Sequence, residues 1–311
     1  MRTAAEVAPV ADRVADAAAP IVNAMTVDVE DYFHVSVFDG VVPRDAWDGL
    51  ESRVCANTER LLRIFDTAGV SATFFVLGWV AERFPSLVRA IAAQGHEIAS
   101  HGHGHRLVYD LTRQAFRDDI RRSKDVLESA IGTPVFGYRA PSYSVTTRSL
   151  WALDVLIEEG FRYDASIFPI YHDRYGIPDS PRHPYLLQRT QPLLEATGST
   201  VRFGPINLPI AGGGYFRILP YAWTRWGITR LNVGERAPAL FSLHPWEIDP
   251  EQPRLQASLL GRFRHYRNLS KTEERLRALL DDFQFSTMVA VLGRAGYSLG
   301  SEPAAPPPYL C

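Results

Sequence analysis

Cysteine is scarce: two residues, Cys55 and Cys311, in a chain of 311. That is too few for a disulfide scaffold or a thiolate zinc site. An excess of one charge is also missing. Thirty-three Lys and Arg stand against 35 Asp and Glu, so no broad field exists to gather nucleic acid or an anionic membrane. No window approaches the ~18 apolar residues of a membrane span. Residues 1–20 are rich in alanine but are broken by Glu6, Asp12, Arg13 and Asp16, whereas a secretory signal needs an unbroken apolar run of about 7–15 residues. They read as a flexible tail, and the expected location is the cytoplasm, with action at the inner face of the membrane as a variant of it. Apolar (46%) and charged (22%) fractions near globular averages exclude a disordered or collagen-like chain. What the sequence does have is nine histidines, three of them within residues 101–105.

From residue 21 onward, short apolar runs alternate with helical patterns. Strands are expected over 21–29, 71–78, 96–100, 135–140, 163–168 and 239–243, and helices over 51–68, 80–93, 112–131 and 146–159, several closed by glycine. Such alternation implies βαβ units and a parallel sheet. With at least six strands and no nucleotide fingerprint, a barrel is favoured over an open sheet. Residues 169–200, rich in Pro, Tyr, Arg and His, read as a long insertion or lid. Residues 251–311 read as a helical extension (272–283, then 286–295) with a Pro-rich tail, and length requires no second domain.

Several clusters fall at predicted strand ends, the face on which barrels assemble their sites. Asp28, Glu30 and Asp31 place three carboxylates in four residues, costly if buried together, though an acidic solvated turn would read the same way. His101 and His105, separated by glycines that let the chain curl, can converge on one cation with a carboxylate and leave positions open. His103 then points away. Arg139 can hold a carboxylate through its fork of donors, or pair structurally, and the turn at Ser142 and Tyr143 can present an amide to a developing oxyanion. His244 is placed as a general acid or as a structural histidine, and the neighbouring Trp246 as a platform for a sugar ring or as part of the core. Asp164 is a weaker candidate.

The stretch SATFFVLGWVAERFPSLVRAIAAQGHEIASHGHGH and these clusters resemble the polysaccharide deacetylases of carbohydrate esterase family 4, the NodB-homology group. The resemblance runs from about residue 26 to 247. It implies a distorted (β/α) barrel of about seven strands over residues 21–250, and a metal-dependent hydrolase that removes N-acetyl groups from N-acetylhexosamine units and releases acetate. Asp28 is similar to the catalytic base, Arg139 to the arginine that orients it, Asp164 to an acidic partner and His244 to the general acid. His101 and His105 match the metal histidines. The family has adjacent aspartates where this chain has Asp-Val-Glu-Asp, so Asp31 is the expected metal carboxylate, with Glu30 as the alternative. Gly102 replaces a hydroxyl residue that usually steadies the histidine loop. The implied cation is Zn²⁺, and Co²⁺, Ni²⁺ or Fe²⁺ would suit the same ligands.

VDVEDYFHVSVF, LHPWEID and RFRHYRNLSKTEERLRALLDDFQFS also resemble the exopolysaccharide-associated deacetylases of exosortase loci. The implied partner is a bacterial N-acetylated polysaccharide or oligosaccharide, with a lipid-linked form as one version; no oligomeric state follows. An allantoinase-like amidohydrolase of the same fold and a degenerate polysaccharide-binding protein are the rival readings.

Overall fold

The computed structural model describes residues 20–187 and 191–297; the expected N-terminal and Pro-rich tails lie outside the described residues, save Pro20. The first half of the chain is β1 (Val22–Val29), α1 (Val54–Ala68), β2 (Thr73–Val76), α2 (Gly78–Arg83), α3 (Pro85–Ala93), β3 (Glu97–Ser100), α4 (Arg113–Ile131), β4 (Gly137–Tyr138) and α5 (Trp151–Glu158). The second half is β5 (Tyr163–Asp164), β6 (Tyr185–Leu187), β7 (Leu193–Glu195), β8 (Thr200–Phe203), β9 (Ile206–Pro209), α6 (Gly213–Ile218), α7 (Tyr221–Thr229), β10 (Leu240–Leu243), α8 (Leu259–Tyr266), α9 (Leu269–Asp282), β11 (Gln284–Ser286) and α10 (Met288–Arg294).

The local causes are legible. α4 opens on Thr112, whose hydroxyl accepts from Ala115 N at 3.1 Å, and closes on Gly132 at φ +73, a left-handed cap that glycine adopts without steric cost. The single helix expected over 80–93 is two. Pro85 lacks an N–H and disfavours helical backbone at Phe84, so the chain breaks there and restarts.

The sheet runs β10-β1-β2-β3-β4-β5-β7-β6. Its first seven strands are parallel, and β6 pairs antiparallel with β7. Among the described residues no pairing joins β6 to β10, so the barrel is curled but incomplete, and a β8–β9 hairpin stands beside β10, where Ser199 Oγ accepts from Leu240 N at 2.7 Å. Residues 169–200 are therefore not only an insertion, since they supply β7, a core strand too short to show a period. Nor is the C-terminal segment purely helical: β11 pairs with the start of β1.

Strand alternation divides the core. Met25, Val27 and Val29 face the outer helices, while Ala24 packs inside with Phe75, Ala99, Tyr163 and Ala196, and Met288, Val291 and Leu292 of α10 join that inner cluster. α10 closes the N-terminal end of the sheet: Val289 N donates to the half-buried Glu97 at the start of β3. That leaves the C-terminal end, where β1 delivers Asp28, as the open mouth.

Candidate metal and catalytic centre

β1 ends in the acidic run, and Asp28, Glu30 and Asp31 are all buried (3% exposed or less). Their surroundings differ. Asp28 Oδ1 accepts from Arg139 Nη1 at 2.7 Å. The Arg139 guanidinium is fully buried; it also donates to Thr26 Oγ1 (2.8 Å) and Ala165 O (3.2 Å) and lies 4.1 Å from the Phe75 ring. These contacts fix the fork, so Asp28 is presented in one orientation. Its Oδ2 lies 3.8 Å from His244 Nε2.

Glu30 lies among imidazoles. Its Oε2 is 2.6 Å from His105 Nε2 and 4.0 Å from His101 Nε2, and its Oε1 is 3.6 Å from His244 Nε2. Burial would raise the Glu30 carboxyl, but His105, His244 and His101 outweigh it and hold the group well below the usual carboxylate range. Ligand atoms of Glu30, His101 and His105 lie within 4.8 Å of one another. His101 Nδ1 sits 2.9 Å from Arg139 O, so this nitrogen carries the hydrogen and Nε2 is left as a lone pair turned to Glu30. Burial lowers its pKa to about 4, which keeps the ring neutral near pH 7. Glu30 Oε2 itself is buried and, although close to His105 Nε2, makes no well-aligned hydrogen bond. Two imidazole nitrogens and a buried carboxylate oxygen fit a divalent cation.

The expected preference for Asp31 is corrected here. Its carboxylate accepts from Tyr32 N (3.0 Å), Ser52 Oγ (2.7 Å), Arg53 N (2.9 Å) and Val54 N (3.2 Å), which turns it away from the histidines. It anchors the loop and the start of α1.

The histidine loop is steadied from α4. Asp119 accepts from His103 N at 2.7 Å and Gly104 N at 3.0 Å, supplying the support that a hydroxyl at position 102 would give. A Cβ on Gly102 (φ +70) would meet Asp119 Oδ2 at 2.8 Å, so glycine and aspartate fit as a pair. His105 has φ +47, a backbone state rare outside glycine, and this turns its ring inward. His103 does point away, to Glu82 at 3.2 Å.

His244 follows β10. Its Nδ1 is 2.7 Å from Glu247 Oε1, and Glu247 Oε2 accepts from Arg217 Nε at 2.6 Å. Burial opposes the charge on His244, but Glu30, Glu247 and Asp28 raise its pKa to about 9, while Arg217 and His244 hold Glu247 at about 2 against its own burial. Neither Glu247 nor Arg217 stood out in the sequence; the His-x-x-Glu spacing after a strand was the available signal. Trp246 is buried between the rings of His244 and His265 (5.0 and 4.3 Å) and donates to Glu30 Oε1 at 3.2 Å, which makes it a wall rather than an open sugar platform.

Asp164 makes no contact with Arg139, so its expected partnership with that arginine is corrected as well. It pairs in register with Glu195 on β7, a strand the periodicity does not reveal. Ser166 Oγ donates to Asp164 and Ile167 N donates to Glu195; Asp164 Oδ2 and Glu195 Oε2 are buried with no donor of their own, and burial raises both carboxyls, as for a pair that holds one proton between them. Ser142 and Tyr143 sit at φ +53 and +52 at the rim, and the Tyr143 amide already donates to Ala140 O at 3.1 Å. The centre opens into a cavity of about 220 Å³ lined by Asp28, Glu30, Tyr143, His244 and, from the segment after β5, Phe168 and Tyr175.

Residues 46–158 match the sequence profile of the family described as Polysaccharide deacetylase. The chain carries a polysaccharide deacetylase domain. Residues 165–293 match a second profile, described only as a domain of unknown function (DUF3473). A peptidoglycan deacetylase-like protein of Gibberella zeae is 34% identical over 110 residues, covering 35% of this chain and 32% of its own length. A peptidoglycan deacetylase of Helicobacter pylori is 31% identical over 123 residues (38% and 40%). The chain thus spans between about a third and two fifths of these relatives' length. Among solved structures, one from Mycobacterium smegmatis described as a polysaccharide deacetylase superposes with a TM-score of 0.62 at 22% identity, covering 98% of this chain and all of that one. An allantoinase superposes at 0.58 and 17% identity, covering 88% and 89%. Both are likenesses of fold. The deacetylase profile covers the histidine loop and Arg139, and the second matched region covers Glu195, Arg217, His244 and Glu247, so the centre draws on both, together with Asp28 and Glu30, which precede them, and Asp164, which lies between them.

Proposed function

We propose that this chain hydrolyses the N-acetyl group of N-acetylhexosamine units in a bacterial exopolysaccharide, releasing acetate. One observation carries the reading: Asp28 with Arg139, His244 with Glu247, and the Glu30–His101–His105 set converge on a single cavity. A divalent cation held by that set, Zn²⁺ by the chemistry of its ligands and the family resemblance, would polarise the acetyl carbonyl and make a water molecule easier to deprotonate. Asp28, oriented by Arg139, takes the proton of the attacking water. His244, cationic near pH 7, gives a proton to the departing amine. With the Tyr143 amide engaged, Ser142 supplies the backbone N–H for the oxyanion. A second cavity of about 370 Å³ shares His244, Trp246 and Arg174 with the first, and this extended shape supports a chain of sugars rather than one small amide. A lipid-linked form of the polymer at the inner membrane face is part of this proposal.

The test combines metal analysis with acetate release from a panel of N-acetylated oligosaccharides. Acetate production that is lost on chelation and restored by Zn²⁺ is expected. Turnover of allantoin-like amides without acetate release would replace this reading with the amidohydrolase one, and metal-free protein that only binds glycan would replace it with the degenerate one.

A further inference from the structure

We propose that α8 and the segment around it form a docking surface for an anionic phospholipid bilayer. α8 packs inward through Gly261, where a Cβ would meet Val37 Cγ2 at 2.5 Å. Its other face carries Leu259 (85% exposed), Leu260 (57%) and Phe263 (49%), large apolar side chains that a solvated helix rarely shows together. Arginine predominates around them. Arg254, Arg262 and Arg267 are exposed, and among the described residues none has a carboxylate partner; Arg264 meets Asp173 at 3.6 Å. Arg267 lies 5.8 Å from the Phe263 ring and Arg254 4.2 Å from the Tyr266 ring, so cation and apolar surface are interleaved. Apolar side chains flanked by arginine suit the boundary between acyl chains and anionic headgroups. A second copy of the chain fits less well, because a two-fold contact through this patch would bring like-charged arginines together. Polyphosphate leaves Leu259 and Leu260 without a role. The near-neutral net charge of the whole chain makes the attraction local to this patch.

The surface adjoins the reaction centre. Leu260 and Arg264 also line the second cavity, which shares His244 and Trp246 with the first. A bilayer held there would set the mouth of the site at the lipid surface.

The experiment is co-sedimentation of the full chain with vesicles of phosphatidylcholine alone or containing phosphatidylglycerol, at low and high salt, without glycan, so its outcome is independent of the hydrolytic reading. Binding to the phosphatidylglycerol vesicles alone, weakened by salt, is expected. The pair Leu259→Ser and Phe263→Ser should lower partitioning at least about tenfold. The pair Arg262→Ala and Arg267→Ala should lower it about fivefold per arginine, the ratio for about 1 kcal/mol per charge near an anionic surface. All four side chains are exposed, so melting temperature and activity on soluble substrate should not change. Equal binding to both vesicle types, no binding, or variants that bind as the parent does would overturn the proposal. So would a concentration-dependent dimer abolished by the same substitutions.

Discussion

Glu247 grips His244 from three positions further along the chain, its Oε1 2.7 Å from the imidazole Nδ1, and is itself held at 2.6 Å by the buried Arg217. This Arg–Glu–His line fixes the ring so that Nε2 faces both Asp28 (3.8 Å) and Glu30 (3.6 Å). The residue that orients the proposed acid therefore comes from the acid's own turn.

Replacing Glu247 by Gln keeps the shape and removes the charge. kcat should fall about 10- to 100-fold with KM little changed, short of the ~100-fold or greater loss expected for His244→Ala. Steady-state kinetics on a soluble N-acetylated oligosaccharide would check it. A Glu247→Gln enzyme as fast as the parent would show that the carboxylate only supports the fold.

Glu30 and Asp31 are neighbours with opposite expected behaviour. Glu30→Ala should abolish cation binding, read by elemental analysis of the purified protein. Asp31→Asn should keep the cation but destabilise by about 3 kcal/mol in urea unfolding, because amide for carboxylate weakens four hydrogen bonds, two of them fully buried. The reverse pattern would restore Asp31 as the ligand.

Asp28→Asn should retain the cation and lose at least about 100-fold in rate, the scale of general base catalysis. Loss of cation and rate together would instead put Asp28 among the ligands. His101→Ala, by contrast, should lose both.

The Asp164–Glu195 pair predicts a pH dependence of stability. Burial pushes Asp164 up to about 6; burial and the adjacent Asp164 carboxylate push Glu195 well above the ordinary carboxyl range. Both folded-state values are raised, so the pair's stability is fully present below about pH 4. It is lost as pH rises: the unfolded chain releases protons there while the folded pair retains one, at up to about 1.4 kcal/mol per pH unit per proton. Glu195→Gln replaces the shared proton with an amide hydrogen. The parent's melting temperature should fall between pH 6 and 9 and the variant's should stay flatter. Parallel profiles would rule out the shared proton.

Much of this was legible in the sequence where residue type and period agree. The apolar runs at 21–29, 71–78 and 96–100 are long enough to mark β1, β2 and β3, and the histidine spacing marks the loop after β3. β7 was hidden because Leu193–Glu195 is three residues long. With β7 hidden, Glu195 was hidden too, and Asp164 was left to be matched with Arg139 by resemblance alone. The choice between Glu30 and Asp31 depends on which carboxylate meets the backbone amides at the start of α1, a tertiary fact that no local pattern encodes. Asp119 was obscured for the same reason: it reads as one more charge on an exposed helix until α4 is laid against the histidine loop.

β11 has a consequence for how the molecule forms. Asn23 in β1 and Gln284 in β11 are 261 positions apart and joined by a side-chain hydrogen bond, and their strands pair beside it, Val22 with Gln284 and Asn23 with Phe285. During synthesis β1 must wait for nearly all the remaining described residues before this edge is covered. Contacts of such separation slow folding, so the nascent chain should expose an open strand edge for longer than a protein built from local hairpins, and should depend on chaperones through that interval.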